Sequence, residues 1–229
     1  MFLPIIALAP AIGLVWLIYA MRTYRPESRL LIAALFALGA ASALLALVLN
    51  HSVERYTDLW TGAPQLTNRL MFWLLGIGLN EEFAKMLVLL AVLYPRKSVT
   101  HVEQGILAAA TVALGFAAIE NLFYLDRFGT PTLLVRSVLT VPAHACFTIP
   151  NGVGLFLSKR AQSVTAKYLY LLAGLMVAVS FHGVYNIWLS LDDAWLNRLA
   201  YLQVVLMALL AWRLMRWRLA PIAAPAEEA

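Results

Sequence analysis

Charged side chains are scarce in this sequence. They make up 13% of its 229 residues, whereas 62% of the residues are hydrophobic. A soluble domain has about 45–50% apolar residues, and a soluble fold of this length cannot bury a much larger share. The scarcity of charge therefore excludes an ordinary soluble domain and predicts that the chain is solvated by a lipid bilayer.

Cysteine is nearly absent as well, and no internal repeat is evident. The one cysteine, Cys146, lies within an apolar run, which excludes a framework of internal disulfides. The net charge of +5 does not indicate a nucleic-acid partner, because the basic residues stand at the ends of apolar runs. The first 20 residues lack the basic segment of a signal peptide, so we expect them to form a retained helix.

Long apolar runs dominate what is present. A membrane-spanning helix needs about 20 apolar residues, and seven runs reach about this length, at roughly 2–21, 29–50, 69–94, 103–125, 132–157, 165–190 and 197–216. Backbone polar groups in lipid must be satisfied within helices. We therefore predict an all-α fold, a polytopic transmembrane helical bundle with about seven transmembrane helices. It forms a single domain over residues 1–218, with its core at 69–190, before a short disordered tail at 219–229.

Basic residues predict the orientation of the bundle. If the seven runs alternate across the membrane, one side is rich in basic residues and the other has fewer. The richer side carries Arg22, Arg25, Arg29, Arg96, Lys97, Lys159, Arg160, Lys167, Arg213, Arg216 and Arg218, and the poorer side Arg55, Arg69, Arg127, Arg136 and Arg198. The richer side is cytoplasmic by the positive-inside rule. The chain is thus predicted to be a multi-pass protein of the cell's inner (cytoplasmic) membrane, with its N-terminus outside and its C-terminus cytoplasmic.

A few polar residues inside the predicted helices are candidates for function. An ionisable residue at the centre of a membrane helix costs about 2.5–3.5 kcal/mol on insertion scales and usually marks function. Four runs carry such residues or amides, namely Glu81, Glu82 and Lys85; Glu120 and Asn121; His144; and His182 and Asn186. Counted along the helices, the ionisable ones fall at similar depths in the middle or outer part of the membrane. Shared depth permits one common site without requiring it.

Helical spacing adds detail, and it also supports a purely structural explanation. Lys85 follows Glu81 by four residues and Glu82 by three, so it can neutralise either carboxylate. Such a cluster, or His144 as a hydrogen-bonding residue, can also serve only to pack helices. Glu120 is harder to explain in this way, because no basic residue lies near it in the sequence.

The fifth run carries a polar stripe that includes His144, Thr148 and Asn151. Cys146 lies two residues from His144 and so points about 200° away from it around the helix. The spacing therefore argues against a Cys–His nucleophile pair.

The residue types suit hydrolysis by activated water. A glutamate can take a proton from water and pass it to the leaving amine, and histidines with a carboxylate can hold Zn²⁺ with one position open. Asn186 can stabilise an oxyanion. The same residues also suit a proton- or cation-coupled membrane carrier, and a non-catalytic membrane scaffold or immunity protein stays open as a third alternative.

Four motifs in this order resemble the PrsW family of intramembrane proteases. They are EEFAK (81–85), GFAAIENLFY (115–124), PAHACFTIPNG around His144, and HGVYN (182–186). That family is similar, more distantly, to the CAAX-processing and bacteriocin-immunity membrane proteases, whose pattern runs EExxxR, FxxxH and HxxxN. This sequence has Lys85 where the broader pattern has an arginine one residue later, and Glu120 where it has its first histidine.

The resemblance implies an intramembrane endopeptidase that cuts a membrane-anchored protein, such as an anti-sigma factor, beside or within the membrane. Its catalytic residues are then Glu81, Glu82, Glu120, His182 and Asn186, with Lys85 and Asn121 in support and Glu120, His144 and His182 as a Zn²⁺ ligand set. Metal-dependent and glutamate-dependent mechanisms both stay open. So does the choice between Glu81 and Glu82 as general base.

Overall fold

The helical prediction is confirmed for the part of the chain that the structure describes. The structure is a computed structural model, which describes residues 3–20, 28–57, 65–97, 99–191 and 193–216. The α-helices are α1 (Leu3–Ala20), α2 (Arg29–Thr57), α3 (Gln65–Leu70), α4 (Leu79–Leu93), α5 (Val102–Val138), α6 (Thr140–Arg160), α7 (Val164–Ser190) and α8 (Ala194–Arg216), and a π-helix covers Met71–Gly78. The predicted disordered tail lies outside the described residues.

Four of the described helices are long and apolar enough to cross a membrane. They are α5, α7, α8 and the part of α2 from Arg29 to Val53, and a shorter apolar helix covers Ile5–Ala20. The third predicted run is divided among α3, the π-helix and α4. Polar residues such as His144, Thr148 and Asn151 make α6 less apolar than a typical span. The chain is therefore a multi-pass helical protein, and the count of seven spans stays a prediction.

The boundary between the fourth and fifth predicted runs differs from the structure. We predicted a loop at 126–131, but α5 continues to Val138 and α6 begins only at Thr140. The interruption is a kink at Gly129, whose φ of 77° and ψ of −175° are not helical. Only glycine adopts this backbone conformation without strain. The polypeptide can therefore change direction at Gly129 without a loop.

Helix α5 is the centre of the bundle. It packs against α1, α2 and α6, and nearly every residue from Val102 to Ala118 is buried. Its contact with α6 is close at Gly105 and Gly152, where a Cβ on Gly152 would lie 2.1 Å from the Gly105 carbonyl oxygen. Small residues allow such approach between membrane helices. This contact sets the distance between the helices that carry Glu120 and His144.

We expect Gly152→Ala to destabilise the bundle, because the added methyl group would overlap the backbone of α5. Overpacking of this kind costs about 1–3 kcal/mol. The free energy of unfolding in mixed micelles measures the effect. Gly13→Ala is the matched control, since a Cβ at Gly13 would meet no heavy atom of the other described segments within 4 Å. Equal stability of the two variants would contradict the expected close contact.

Candidate active site

Four helices bring the ionisable residues of the sequence motifs into one buried cluster. Glu82 and Lys85 are 0% exposed, and Glu81 is 4% exposed. The members are Glu81, Glu82 and Lys85 from α4, Glu120 from α5, His144 from α6 and His182 from α7. From the sequence, the similar depths of these residues in the membrane permitted one shared site. In the structure their side chains are in direct contact.

The π-helix places the start of α4 against α7. A Cβ on Gly78 would lie 3.3 Å from the carbonyl oxygen of Val179, and one on Gly183 would lie 2.7 Å from the Cα of Leu74. Only residues without side chains allow this approach, and Gly183 directly follows His182 in the sequence. π-Helical turns are frequent at functional sites. Here the π-helix brings the two glutamates of α4 within reach of His182.

Both carboxylate oxygens of Glu82 are occupied by hydrogen bonds. Its Oε1 accepts from Lys85 Nζ at 2.7 Å and from His182 Nδ1 at 3.0 Å. Its Oε2 accepts from Thr148 Oγ1 at 2.8 Å and from Asn151 Nδ2 at 3.5 Å. A carboxylate with donors from three helices is fixed in place, so Glu82 holds α4, α6 and α7 together.

Glu81 has one occupied oxygen and one free oxygen. Its Oε1 accepts from Asn50 Nδ2 at 3.2 Å, and Asn80 Nδ2 donates to Asn50 Oδ1 at 3.2 Å. Its Oε2 is buried and has no hydrogen-bond partner among the described residues. Lys85 Nζ lies 3.9 Å and His182 Nε2 3.8 Å from this oxygen. Because an unsatisfied buried acceptor is costly, Glu81 Oε2 marks the place for an additional group.

Hydrogen-bond partners fix the ring nitrogens of both histidines. His182 Nδ1–H donates to Glu82, which leaves the lone pair of Nε2 free. An ammonium group can only donate, so His144 Nδ1 accepts from Lys85 Nζ at 3.2 Å. His144 Nε2–H then donates to Glu120 Oε2 at 2.7 Å. Each histidine thus has one ring nitrogen on a carboxylate, as metal-ligating histidines usually do.

Aromatic rings form the walls around the two histidines. Phe147 stacks on the His182 ring with centroids 5.1 Å apart, and the His144 and His182 rings meet edge to face at 5.2 Å. Lys85 Nζ lies 4.1 Å from the centre of the Phe116 ring, a cation–π contact. These apolar walls limit the ring positions and keep bulk water out.

The charge of Glu120 is compensated by a residue that is distant in the sequence. Arg136 Nη2 lies 2.8 Å from Glu120 Oε2, and its Nε donates to Asn121 Oδ1 at 3.1 Å. In a straight helix, residues sixteen positions apart are separated by about 24 Å. The kink at Gly129 reverses the chain and makes the contact possible. A basic partner for Glu120 thus exists, although none lies near it in the sequence.

Asn186 and Cys146 are the two other residues that we considered from the sequence. Asn186 lies one turn beyond His182 on α7 and is half-buried. Cys146 Sγ donates to the Val204 carbonyl oxygen of α8 at 3.8 Å. This contact directs the thiol away from His144, in agreement with the helical spacing. The cysteine therefore does not belong to the cluster.

Four residues that contact the cluster were not predicted to belong to it: Asn50, Arg136, Thr148 and Asn151. Thr148 and Asn151 lie on the polar stripe of His144, which was the signal that could have identified them. Asn50 ends an apolar run, and Arg136 was interpreted only as a topology charge. Nothing in the local sequence indicates that either one contacts a glutamate.

Three donor residues of the cluster are arranged suitably for a metal ion. Glu81, His144 and His182 each offer a ligand atom, and these atoms lie within 4.8 Å of one another. The free Glu81 oxygen and the free lone pair of His182 fit this use, since zinc takes carboxylate and imidazole ligands. The set shares both histidines with the predicted one and has Glu81 where we predicted Glu120.

Comparison with known proteins gives the family. The family model described as "PrsW family intramembrane metalloprotease" matches residues 27–213. The chain belongs to the PrsW family. It is 28% identical to Protease PrsW of Shouchella clausii over 213 residues, which are 93% of each chain. It is also 33% identical to Protease PrsW of Geobacillus kaustophilus over 142 residues, which are 62% of this chain and 60% of that relative. No solved structure shows a significant match.

Membership of the PrsW family supports the protease hypothesis over the carrier and scaffold alternatives. The PrsW motifs identified in the sequence, from EEFAK to HGVYN, all lie within the matched residues. Their ionisable side chains are the ones that meet in the buried cluster. The cluster is therefore the candidate active site of an intramembrane protease.

Proposed function

We propose that this PrsW-family protein is an intramembrane endopeptidase that hydrolyses a peptide bond of a membrane-anchored protein, with Glu81 as the residue that activates water. The observation that carries the proposal is the free Oε2 atom of Glu81. It is buried, it has no hydrogen-bond partner among the described residues, and it faces His182 Nε2 at 3.8 Å. A water molecule beside Glu81 Oε2 would find there an acceptor for the proton that it loses on attack.

The two adjacent glutamates have different roles in this proposal. Glu81 takes a proton from water, the oxygen of that water attacks the carbonyl carbon, and the proton passes to the leaving nitrogen as the C–N bond breaks. Glu82 stays bound to Lys85, His182 and Thr148 and holds these groups in position. The charge of Lys85 offsets that of Glu82, so the pair can remain buried.

Asn186 is the proposed donor to the oxyanion of the tetrahedral intermediate. It lies one turn from His182 on α7. The substrate class that the PrsW resemblance implies is a membrane-anchored protein, and an anti-sigma factor is the proposed example. In the proposed topology the N-terminus lies outside and the C-terminus in the cytoplasm. The active site then lies in the middle to outer part of the membrane.

Zn²⁺ is the proposed metal of the metal-dependent mechanism, and Glu81, His144 and His182 are the residues that would hold it. Glu81 Oε2 would then be a ligand rather than the free base, and Lys85 would no longer donate to His144 Nδ1. When bound, Zn²⁺ supplies Lewis-acid chemistry that acidifies water and polarises the scissile carbonyl. Glu82 and Glu120 hold the other ring nitrogens of the two histidines, which orients the rings. In the glutamate-type mechanism no metal occupies Glu81 Oε2, and this oxygen itself takes the proton from water.

Metal removal distinguishes the two mechanisms. In the zinc mechanism, a strong chelator should abolish cleavage of single-span reporter proteins and Zn²⁺ should restore it, whereas cleavage with Glu81 as a free base should respond to neither. His182→Ala should lower kcat by about 100-fold or more and reduce bound zinc, as measured by elemental analysis of the purified protein. His51→Ala, an exposed histidine on α2, is the control. Full cleavage by a protein shown to be free of metal would support the glutamate-type mechanism and contradict the zinc site.

A further inference from the structure

Arg136 is a buried cation to which the proposed mechanism assigns no role. Its side chain is only 10% exposed. The guanidinium carbon lies 3.6 Å from the centre of the Tyr124 ring, and Nε donates to Asn121 Oδ1 at 3.1 Å. Arg136 also forms an ion pair with Glu120, in which Nη2 lies 2.8 Å from Oε2. Three neighbours thus fix the orientation of this side chain.

The Glu120 oxygen that pairs with Arg136 also contacts His144. Glu120 Oε2 lies 2.8 Å from Arg136 Nη2 and 2.7 Å from His144 Nε2. Arg136 therefore reaches the reaction centre through one shared oxygen atom. The opposite nitrogen of the His144 ring faces Lys85 at 3.2 Å, on the side of the two α4 glutamates.

A short segment after Gly129 delivers Arg136 to this position. Between Gly129 and the end of α5, Leu133 is fully buried and Arg136 nearly so, whereas Leu134 and Val135 are exposed. Leu133 and Arg136 are three residues apart and share one helix face. The segment therefore presents a face that places the guanidinium against Glu120.

We propose that Arg136 is a positioning residue, which holds the Glu120 carboxylate against His144 Nε2–H and thereby keeps the His144 ring in its orientation. The proposal rests on the proposed protease function for its kinetic consequence. The alternative is that Arg136 only neutralises the charge of a half-buried carboxylate. Neutralisation needs a charge but not a fixed direction, whereas the guanidinium is oriented by both Asn121 and Tyr124.

The kinetic test compares variants of the full chain on single-span reporter proteins. We expect Arg136→Gln to lower kcat about 10–100-fold, as loss of an outer-shell partner does, with KM changed less than about threefold. Arg127→Gln, an exposed arginine of the same helix, should leave both constants unchanged. Arg136→Lys keeps the charge without the planar fork, so its kcat should fall between those of the wild type and Arg136→Gln.

A double-mutant cycle separates positioning from a general structural effect. In a Glu120→Gln background, Arg136→Gln should lower kcat by less than about twofold further, because its target has already been removed. An equal loss of kcat in both backgrounds, or a change in KM alone, would overturn the proposal. If Arg136→Gln does not fold, Arg136→Lys takes its place in the same cycle.

A spectroscopic test of the same proposal does not depend on cleavage. The chain has four histidines, so the ring nitrogen signals in ¹⁵N NMR can be assigned by removing His144. We expect the Nε2–H signal of His144 to show a strong hydrogen bond in the wild type and in Arg127→Gln. The signal should show a weaker hydrogen bond in Arg136→Gln, because the Glu120 carboxylate is then no longer held against the ring. An unchanged His144 signal in Arg136→Gln would overturn the proposal. Absence of cleavage by the wild type would instead contradict the proposed function.

Discussion

Replacing Glu81 with glutamine is expected to lower kcat by about 10²–10⁴-fold, the usual contribution of a general base, while the protein stays folded. An amide cannot take a proton from water. The exchange leaves Oε1 available to Asn50, and it breaks no hydrogen bond of Oε2, because that atom has no partner among the described residues. Initial rates on single-span reporter proteins, together with the free energy of unfolding, measure the two effects.

Glu103→Gln is the matched control for this prediction. Glu103 is also a buried glutamate, but it lies in the first turn of α5, outside the cluster. We expect it to retain the wild-type kcat. Wild-type activity in Glu81→Gln would contradict the role of Glu81 as base. Equal effects of Glu81→Gln and Glu82→Gln would contradict the division of roles between the two residues.

Replacing Glu82 with alanine is expected to destabilise the protein by about 3–5 kcal/mol, the usual cost of removing one partner of a buried ion pair. Lys85 would be left fully buried without its 2.7 Å partner, and Thr148 would lose its acceptor. Unfolding in mixed micelles gives the free energy. Glu81→Ala should be clearly less damaging, because within the described part of the chain Glu81 accepts one hydrogen bond, from Asn50.

A second substitution tests the physical reason for that instability. If the cost comes from the uncompensated charge of Lys85, then Glu82→Ala combined with Lys85→Met should recover part of the lost stability, since an apolar pair needs no counter-charge. A double variant that is less stable than Glu82→Ala alone would show that the other hydrogen bonds of Glu82 dominate instead.

The helices could be predicted from the sequence, because a long apolar run in a bilayer must satisfy its backbone polar groups within a helix. The predicted run at 165–190 corresponds to α7 at Val164–Ser190, and the one at 29–50 to the apolar part of α2. The π-helix and the kink at Gly129 could not be predicted from the sequence. Both depend on backbone geometry and close helix contacts that hydropathy does not encode.

The residue types of the site were predictable, but their division of roles was not. Glu81 and Glu82 are neighbours with the same chemistry, so only their partners distinguish them. Glu81 contacts Asn50 of α2, whereas Glu82 contacts Thr148 of α6. The partner of Glu120 depends on a reversal of the chain that brings Arg136 back. Such long-range contacts follow from the packing of helices and leave no mark in the local sequence.

We propose that the buried cluster hydrolyses peptide bonds of membrane-anchored proteins, with Glu81 activating the attacking water. The most direct measurement is mass spectrometry of single-span reporter proteins incubated in liposomes with the purified protein. We expect new peptide termini within or beside the membrane anchor for the wild type, and none for Glu81→Gln. Intact reporters with the folded wild type, together with proton or cation flux that depends on Glu120, would contradict it and support a membrane carrier.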